Sequence, residues 1–223
     1  MYKHTSAIMC TGGIDSTTLL YLEKAKGNNP IPITVDYGHV AFQKQVELLQ
    51  YHIEKLGLPA LQIIKIEFPE WQRRPGLFTP EFIPDENNPL ENWDSLRYEN
   101  FFIEGRNTIM LAYALAYCSA HKIDELLTGY LYGEEEWKNR RSIKLMTGDN
   151  SPQFVDAMNI ISQLGYSYQC RIRAPFYEER FDKQAVVEIG KTFGVDFSKT
   201  YSCYFIPECG KCDNCLLRKS LNL

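Results

Sequence analysis

Four of the seven cysteines in this 223-residue chain lie close to its end, as Cys203, Cys209, Cys212 and Cys215. Four thiolates can surround one metal ion, and a two-residue gap between cysteines allows a tight turn that presents both sulfurs to it. Two disulfides or four separate buried thiols are the alternatives. Disulfide scaffolds, however, are typical of short secreted chains that are rich in cysteine throughout. The pattern therefore predicts a structural zinc site.

A glycine pair follows the first apolar run, within the segment CTGGIDST at residues 10–17, here called the glycine loop. Two glycines allow a sharp turn and let the backbone approach a ligand without a Cβ atom in the way. The helix expected after them has free N–H groups and a dipole that favour phosphate. An ordinary strand-to-helix turn is the alternative. We interpret Asp15 as a Mg²⁺ ligand, because a carboxylate beside phosphate needs a cation between them.

Short apolar runs and helical spacings alternate along the chain. Strands are predicted at residues 6–10, 32–36, 61–66, 125–128 and 171–175. Helices are predicted at residues 16–26, 41–56, 107–121, 153–164 and 183–193, with Asn107 as a candidate N-cap. This alternation predicts an α/β fold with a doubly wound parallel sheet.

Two long irregular segments, 68–100 and 130–152, interrupt the alternation of strands and helices. The first carries five prolines together with aromatic and acidic residues. Loops of this length are usually lids or specificity elements, and a plain surface insertion is the alternative.

The composition is that of a globular protein, with 44% hydrophobic and 23% charged residues. A formal net charge of -4 argues against a chain whose main task is stable nucleic-acid binding. No apolar run is long enough for a transmembrane helix, so no membrane partner is expected. We expect reduced cysteines and, with no export signal recognised, a cytoplasmic location.

The glycine loop resembles a known phosphate-binding motif. It lacks the G-x-G-x-x-G of dinucleotide-binding folds and the G-K-S/T of P-loops. It is similar to S-G-G-x-D-S, the pyrophosphate loop of the N-type ATP pyrophosphatases, with Thr11 in place of the first serine. These enzymes split ATP between the α- and β-phosphates and activate a substrate as an adenylate.

The glycine loop and the four cysteines together resemble one family, the QueC-like (ExsB) 7-cyano-7-deazaguanine synthases of queuosine precursor biosynthesis. The likeness runs over nearly the whole chain. The matching segments are DYG at 36–38, GRN at 105–107 (Glu104 stands where the family has proline), TG at 128–129, Pro175 with Lys183, TYSCY at 200–204 and CGKCDNC at 209–215 with Arg218.

The resemblance implies a fold, domains and an activity. The fold is a doubly wound α/β sheet of the adenine-nucleotide alpha-hydrolase (HUP-like) type. Residues 1–199 would form the ATP pyrophosphatase domain, with 68–100 as an insertion, and residues 200–223 the zinc-binding four-cysteine tail, here called the metal tail. The activity is an ATP-dependent ligase reaction that adenylates 7-carboxy-7-deazaguanine and uses ammonia to form the nitrile. ATP, the deazaguanine carboxylate and a second copy of the chain are the implied partners.

The resemblance also implies site residues. Asp15, Ser16, Arg106 and Lys183 are the candidate catalytic residues, with Arg106 and Lys183 neutralising developing charge. A structural ion pair and a solvated lysine are the alternatives for these two. The candidate ATP-binding residues are Cys10, Thr11, Gly12, Gly13, Ile14, Asp15, Ser16, Thr17, Asp36, Asn107 and Gly129. The candidate substrate-binding residues are Tyr37, Gly38, Asp149 and Phe154.

The acceptor side departs from the family pattern. Residues 130–151 replace E-T-D-x-S-G-Y-P-D-C-R-P-E-F except near its end, and His39-Val40-Ala41 replaces Q-R-H. One explanation is a divergent synthase with the same product. Another is a QueC-like enzyme of a phage-defence operon that joins a carboxylate to a protein or nucleic acid. Other N-type chemistry, amidation or tRNA thiolation, and a catalytically dead nucleotide-binding scaffold are further alternatives.

Overall fold

A computed structural model describes residues 5–79, 100–132 and 148–223. Most of the predicted 68–100 and 130–151 segments lies outside these ranges. Within these ranges the strands are β1 Ser6–Met9, β2 Ile31–Asp36, β3 Gln62–Lys65, β4 Glu125–Leu127 and β5 Arg171–Arg173. The α-helices in the described ranges are α1 Ile14–Ala25, α2 Phe42–Leu56, α3 Pro75–Phe78, α4 Arg106–Ala120, α5 Pro152–Gly165, α6 Pro175–Glu178, α7 Lys183–Thr192 and α8 Asp213–Ser220.

The five strands form one parallel sheet in the order β3-β2-β1-β4-β5. The chain moves outward from β1 to β3 in one direction and then returns to β4 on the other side of β1. Such a reversal opens a crevice at the carboxyl ends of the strands, where ligands of open α/β sheets bind. The glycine loop leaves the carboxyl end of β1 and therefore lies at this crevice.

Helices cover both faces of the sheet, so the prediction of a doubly wound fold is confirmed. Ala7 and Met9 of β1 pack with residues of α4 and α5 in one core cluster. Ile8 and Cys10 face the other side and pack with residues of α1, α2 and α7. The alternation follows from the two-residue period of a strand, which sends successive side chains to opposite faces.

The metal tail packs into a third cluster beside the sheet. Five of its residues, Tyr201, Cys203, Phe205, Cys212 and Cys215, are buried together with Ala41, Leu48, Phe68, Leu77, Phe101 and Ile103. These partners come from α2, α3 and the segments that border residues 80–99. The tail therefore shares its core with the start of α2 and with the irregular segment.

The observed helices and strands differ from the predicted ones mainly at their ends. The last strand stops at Arg173 rather than residue 175, because Pro175 begins α6 at a position where the missing N–H costs nothing. Helix α4 begins at Arg106 with Gly105 as its N-cap, so the expectation of Asn107 as the N-cap was wrong. None of the helices that the structure describes is both long and apolar enough to cross a bilayer.

Candidate functional site

The start of α1 presents backbone donors at the mouth of the crevice. Gly13 is the N-cap, and the first intrahelical hydrogen bond is donated by the Thr17 N–H to the Gly13 carbonyl at 3.2 Å. Because glycine has no side chain, it cannot cover the N–H groups of the first turn, which are free to bind an anion. Ser16 lies inside this turn and its Oγ accepts a hydrogen bond from the Thr11 N–H at 3.1 Å.

Gly12 fixes the glycine loop between α2 and the metal tail. Its φ is +70°, and a Cβ atom there would lie 2.7 Å from the Gln45 carbonyl oxygen of α2. On the other side, the Tyr201 N–H donates to the Gly12 carbonyl at 2.9 Å. Both the left-handed backbone and the close approach require glycine.

Asp15 and Lys183 form an ion pair beside the loop. The Lys183 Nζ lies 2.6 Å from both carboxylate oxygens of Asp15, and both side chains are only partly exposed. Lys183 is the first residue of α7, which packs against α1 closely enough that a Cβ atom on Gly190 would lie 2.8 Å from Thr18 Oγ1. The structure therefore brings together two residues that are 168 positions apart in sequence.

The Asp15–Lys183 pair has two consequences for the predicted roles. Lys183 is not a solvated lysine, so that alternative is wrong. In this arrangement Asp15 is held by a lysine, and its role as a Mg²⁺ ligand stays a prediction.

Gly129 packs directly against the first turn of α1. A Cβ atom at Gly129 would lie 3.2 Å from the Asp15 Cβ and 3.2 Å from the Ser16 backbone nitrogen. This glycine follows β4, the neighbour of β1 in the sheet. Gly129 thus lets the first turn of α1 rest on the end of β4.

Arg106 is partly buried near the loop, and two tyrosines and an acidic residue act on its charge. Burial alone would lower its pKa, but Tyr37, Tyr204 and Asp149 together raise the pKa above its ordinary value. Tyr37 also shares a side-chain hydrogen bond with the guanidinium. Arg106 is therefore a fixed cation at the cavity wall and can face a carboxylate or phosphate there.

Asn107 follows Arg106 in the first turn of α4. Its amide Nδ2 donates to the backbone carbonyl of Asp149 at 3.3 Å. The contact joins α4 to the turn before α5, whose N-cap Ser151 accepts a hydrogen bond from the Phe154 N–H. The end of the divergent segment is thereby fixed at the edge of the site.

An aromatic group lines the cavity at the end of β2. The His39 ring stacks on Tyr37 with centroids 4.3 Å apart, and its Nε2 lies 2.9 Å from the Gln45 Oε1. Burial lowers the pKa of His39, so the ring is neutral at pH 7 and Nε2 is the donor to the amide oxygen. Asp36, one residue before Tyr37, accepts a hydrogen bond from the Gly38 N–H at 2.9 Å and thereby shapes this turn.

One cavity of about 290 Å³ joins these groups. Eight predicted site residues line it: Thr11, Gly13, Ile14, Asp15, Tyr37, Arg106, Asn107 and Lys183, and the predicted metal ligand Cys203 also reaches it. The remaining predicted residues support its walls or lie beside it: Cys10, Gly12, Ser16, Thr17, Asp36, Gly38, Gly129, Asp149 and Phe154.

The cavity also has lining residues that the sequence reasoning missed. They are Thr34, Val35, Ala41, Gln45, Leu77, Met110, Tyr201, Ser202, Tyr204, Asn214 and Leu217, and His39 lines the cavity as well. Five of the eleven come from the metal tail. Their one signal in the sequence was nearness to the cysteines and to the TYSCY match, which we interpreted as a mark of family membership alone.

The four cysteines of the tail form a compact cluster. All four Sγ atoms lie within 4.8 Å of one another, and four of the distances, between residues 203 and 209, 209 and 215, 203 and 212, and 212 and 215, are 3.6, 4.0, 3.9 and 3.5 Å. Backbone N–H groups of Phe205, Cys209 and Cys212 point at Cys203 and Cys209 sulfurs at 3.3–3.4 Å. The cluster can hold a metal ion.

Arg218 anchors the tail behind the cluster. It is buried, and its guanidinium donates to Thr200 Oγ1 at 2.8 Å and to the Phe197 carbonyl at 2.9 Å. These contacts tie α8 to the segment that leads into Tyr201, so the arginine of the C-x-x-C-x-x-R pattern serves packing.

A parallel sheet with a glycine loop, a lysine-paired aspartate and a cysteine tail at one crevice defines a protein of the ATP pyrophosphatase class. The family model described as "Queuosine biosynthesis protein QueC" matches residues 5–221, and the chain belongs to the QueC family.

Two relatives align with most of this chain and with most of their own length. A 7-cyano-7-deazaguanine synthase from Desulfotalea psychrophila is 31% identical over 96% of this chain and 91% of its own length. Another from Methanocaldococcus jannaschii is 28% identical over 94% of this chain and 90% of its own. These coverages leave little of either relative outside the alignment.

A more distant relative is similar in fold alone. The U34-tRNA thiolase NcsA from Methanococcus maripaludis, solved with its 4Fe-4S cluster, aligns with 100% of this chain and 67% of its own at a TM-score of 0.51 and 14% sequence identity. The likeness shows that the two proteins share a fold and says nothing of the substrate.

Proposed function

We propose that this protein converts 7-carboxy-7-deazaguanine to 7-cyano-7-deazaguanine with ATP and ammonia. The observation that carries the proposal is the single cavity that joins the glycine loop, the Asp15–Lys183 pair and Arg106 in a chain of the QueC family. Two substrates must meet at one phosphorus atom, and a shared cavity supplies that meeting place.

The proposed reaction has two activations. A carboxylate oxygen of the acceptor attacks the α-phosphorus of ATP, the bond to the β-phosphate oxygen breaks, and pyrophosphate leaves. Ammonia then displaces AMP from the acyl-adenylate, loses a proton and forms an amide. A second ATP activates the amide oxygen with loss of pyrophosphate, and departure of AMP with the amide protons leaves the nitrile.

The residues at the two ends of the cavity fit this chemistry. The free N–H groups of α1 and the Lys183 ammonium face negative charge at the pyrophosphate end, where charge builds up as the bond breaks. Arg106 also lines the cavity, and we place the acceptor carboxylate beside it. Asp15 would bind Mg²⁺ after Lys183 turns from its carboxylate to the phosphates.

Zinc fits the cysteine cluster better than an iron–sulfur cluster does. A tetrahedron of sulfurs about 2.3 Å from one ion has edges of about 3.8 Å. The four distances of 3.5–4.0 Å lie around that value. In a 4Fe-4S cluster each thiolate binds a different iron, so the sulfurs stand much further apart. All four ligands come from the protein, so the ion is structural.

A second copy of the chain is the proposed partner at one surface. Tyr113 of α4 and Ile160 and Leu164 of α5 are 50%, 56% and 84% exposed. Helix α4 carries no charged residue after Arg106, and α5 carries one, Asp156. A largely apolar face with a single charge can meet a copy of itself around a two-fold axis with little like-charge repulsion. Light scattering should then show a dimer, and a monomer for Leu164→Glu. A wild-type monomer would contradict the proposal.

The proposed compartment is the cytoplasm.

Mass spectrometry of products tests the proposed activity. Purified protein with ATP, Mg²⁺, ammonia and 7-carboxy-7-deazaguanine should release pyrophosphate and form the nitrile, and Asp15→Ala should form neither. Pyrophosphate release that requires an added protein or nucleic acid would support the conjugating alternative instead. No release under any of these conditions would support a nucleotide-binding scaffold.

A further inference from the structure

The metal tail contributes a polar side chain to the reaction cavity in addition to its cysteines. Asn214 lies in the first turn of α8, lines the cavity and is partly buried. Its backbone N–H donates to Asp213 Oδ1. Among the described residues, none forms a hydrogen bond with the Asn214 side-chain amide. A half-buried amide that faces a cavity has a donor and an acceptor to offer to whatever binds there.

The cysteine cluster holds this amide in place. Asn214 stands between Cys212 and Cys215, whose sulfurs are 3.5 Å apart, so a bound ion would fix the backbone on both sides of it. Arg218, one turn further on, is buried and anchored to Thr200 and Phe197. A side chain on so constrained a turn is suited to recognition, because little of its freedom is lost on binding.

The other groups of the cavity are accounted for by ATP, so the acceptor is the substrate that remains for Asn214 to bind. The glycine loop and Lys183 account for the phosphates of ATP, and Thr34 and Val35 at the end of β2 line the place expected for adenosine. The wall built from α4 and the metal tail then remains for the second substrate. Polyphosphate prefers cations and N–H donors, whereas an amide complements a lactam edge, which offers one N–H and one carbonyl oxygen.

We infer that Asn214 is an acceptor-binding residue that pairs with the lactam edge of a planar heterocyclic carboxylate. The inference rests on the proposed function and deepens it. It assigns to the metal tail a part in substrate selection as well as in folding. The donor and acceptor atoms of the amide read the N–H and the carbonyl oxygen of the lactam at the same time.

Calorimetric titrations of Asn214→Ala test the inference. Binding of 7-carboxy-7-deazaguanine should weaken about tenfold, since two hydrogen bonds are lost, while a non-hydrolysable ATP analogue binds as to wild type. Lys219→Ala is the matched control, because it changes an exposed residue of the same helix that does not line the cavity. Zinc content and circular dichroism report whether the variants are folded.

A second experiment uses an acceptor that is methylated at N1, the N–H of its lactam edge. Wild type should bind the N1-methylated acceptor at least about tenfold more weakly than the parent compound, and Asn214→Ala should distinguish the two much less. Unchanged acceptor binding by Asn214→Ala, or an equal loss of affinity for the ATP analogue, would overturn the inference. If that variant binds normally while wild type makes the nitrile, the proposed function stands. If wild type neither binds the acceptor nor makes the nitrile, both are overturned.

Discussion

The glycine loop and the metal tail line the same cavity, but different interactions hold them in position. The loop is placed by its own strand and helix, because β1 ends at Met9 and α1 begins at Ile14. The tail has little secondary structure before α8 and is placed by buried aromatic contacts and four sulfurs. Local geometry thus determines the first region, and long-range packing determines the second.

The difference matters because the two regions are joined. The Tyr201 N–H donates to the Gly12 carbonyl, so the tail holds the loop from the side opposite to α2. Loss of the cysteine cluster should therefore also loosen the glycine loop, at the proposed phosphate end of the site.

The largest effect is expected on removal of the metal. Apparent binding free energies of structural zinc are about 10–16 kcal/mol, comparable to the whole stability of a domain. Cys212→Ser should lose the ion and lower the thermal midpoint by about 10 °C or more, measured by calorimetry and metal analysis. Cys118→Ala is the control, since Cys118 is fully buried but outside the cluster. A wild-type midpoint in Cys212→Ser would show that the tail folds without the metal.

Lys183→Ala should reduce activity with little change in stability. The ammonium is the cation that the described structure places on Asp15, and loss of one such group facing developing charge costs about 100-fold or more in turnover. Pyrophosphate release is the measurement. Lys191→Ala changes an exposed lysine at the other end of the same helix and should leave the rate unchanged. Equal rates for the two variants would remove Lys183 from the mechanism.

Much of the first region could be predicted from the sequence, and little of the second. Strand and helix periods gave the sheet, and the glycine pair gave the loop, because both are local patterns. The cysteine spacing indicated a metal site but not its place in the fold. That Tyr204 would line the cavity depends on its stacking on Phe101 and its packing against the cluster that contains Leu77, which no short pattern encodes. The divergent 130–151 segment predicts a change on the acceptor side, and the metal tail supplies part of the cavity lining.

Gly12→Ala should weaken the junction between the two regions. The added Cβ would meet the Gln45 carbonyl at 2.7 Å in a backbone with φ of +70°. We expect a loss of roughly 2–4 kcal/mol in the free energy of unfolding, from backbone strain and crowding together. Gly27→Ala is the matched control, because Gly27 has φ of +84° but open space around it. Denaturant titration of both variants gives the two losses in the free energy of unfolding, and their difference reports the crowding at Gly12. Equal losses would mean that the contact between the loop and α2 contributes nothing.

The smallest effect concerns acid pH at the entrance to the tail. His52 is fully buried, with Nδ1 2.9 Å from the Tyr21 hydroxyl and Nε2 3.1 Å from the Lys199 carbonyl, just before the metal tail. Burial lowers its pKa, so the folded protein keeps the ring neutral, with Nε2 donating to the carbonyl and Nδ1 accepting from the tyrosine.

Because the unfolded chain binds a proton on this histidine near pH 6.5 and the folded chain resists it, stability should fall as the pH drops below that value. The slope is at most about 1.4 kcal/mol per pH unit for one histidine, and burial gives His39 the same sign. Urea titrations between pH 7.5 and 5 measure it. His52→Gln should be less stable at pH 7.5 yet lose less between the two ends of the range. A wild-type slope in His52→Gln would place the acid sensitivity elsewhere, because the buried imidazole would then contribute none of it.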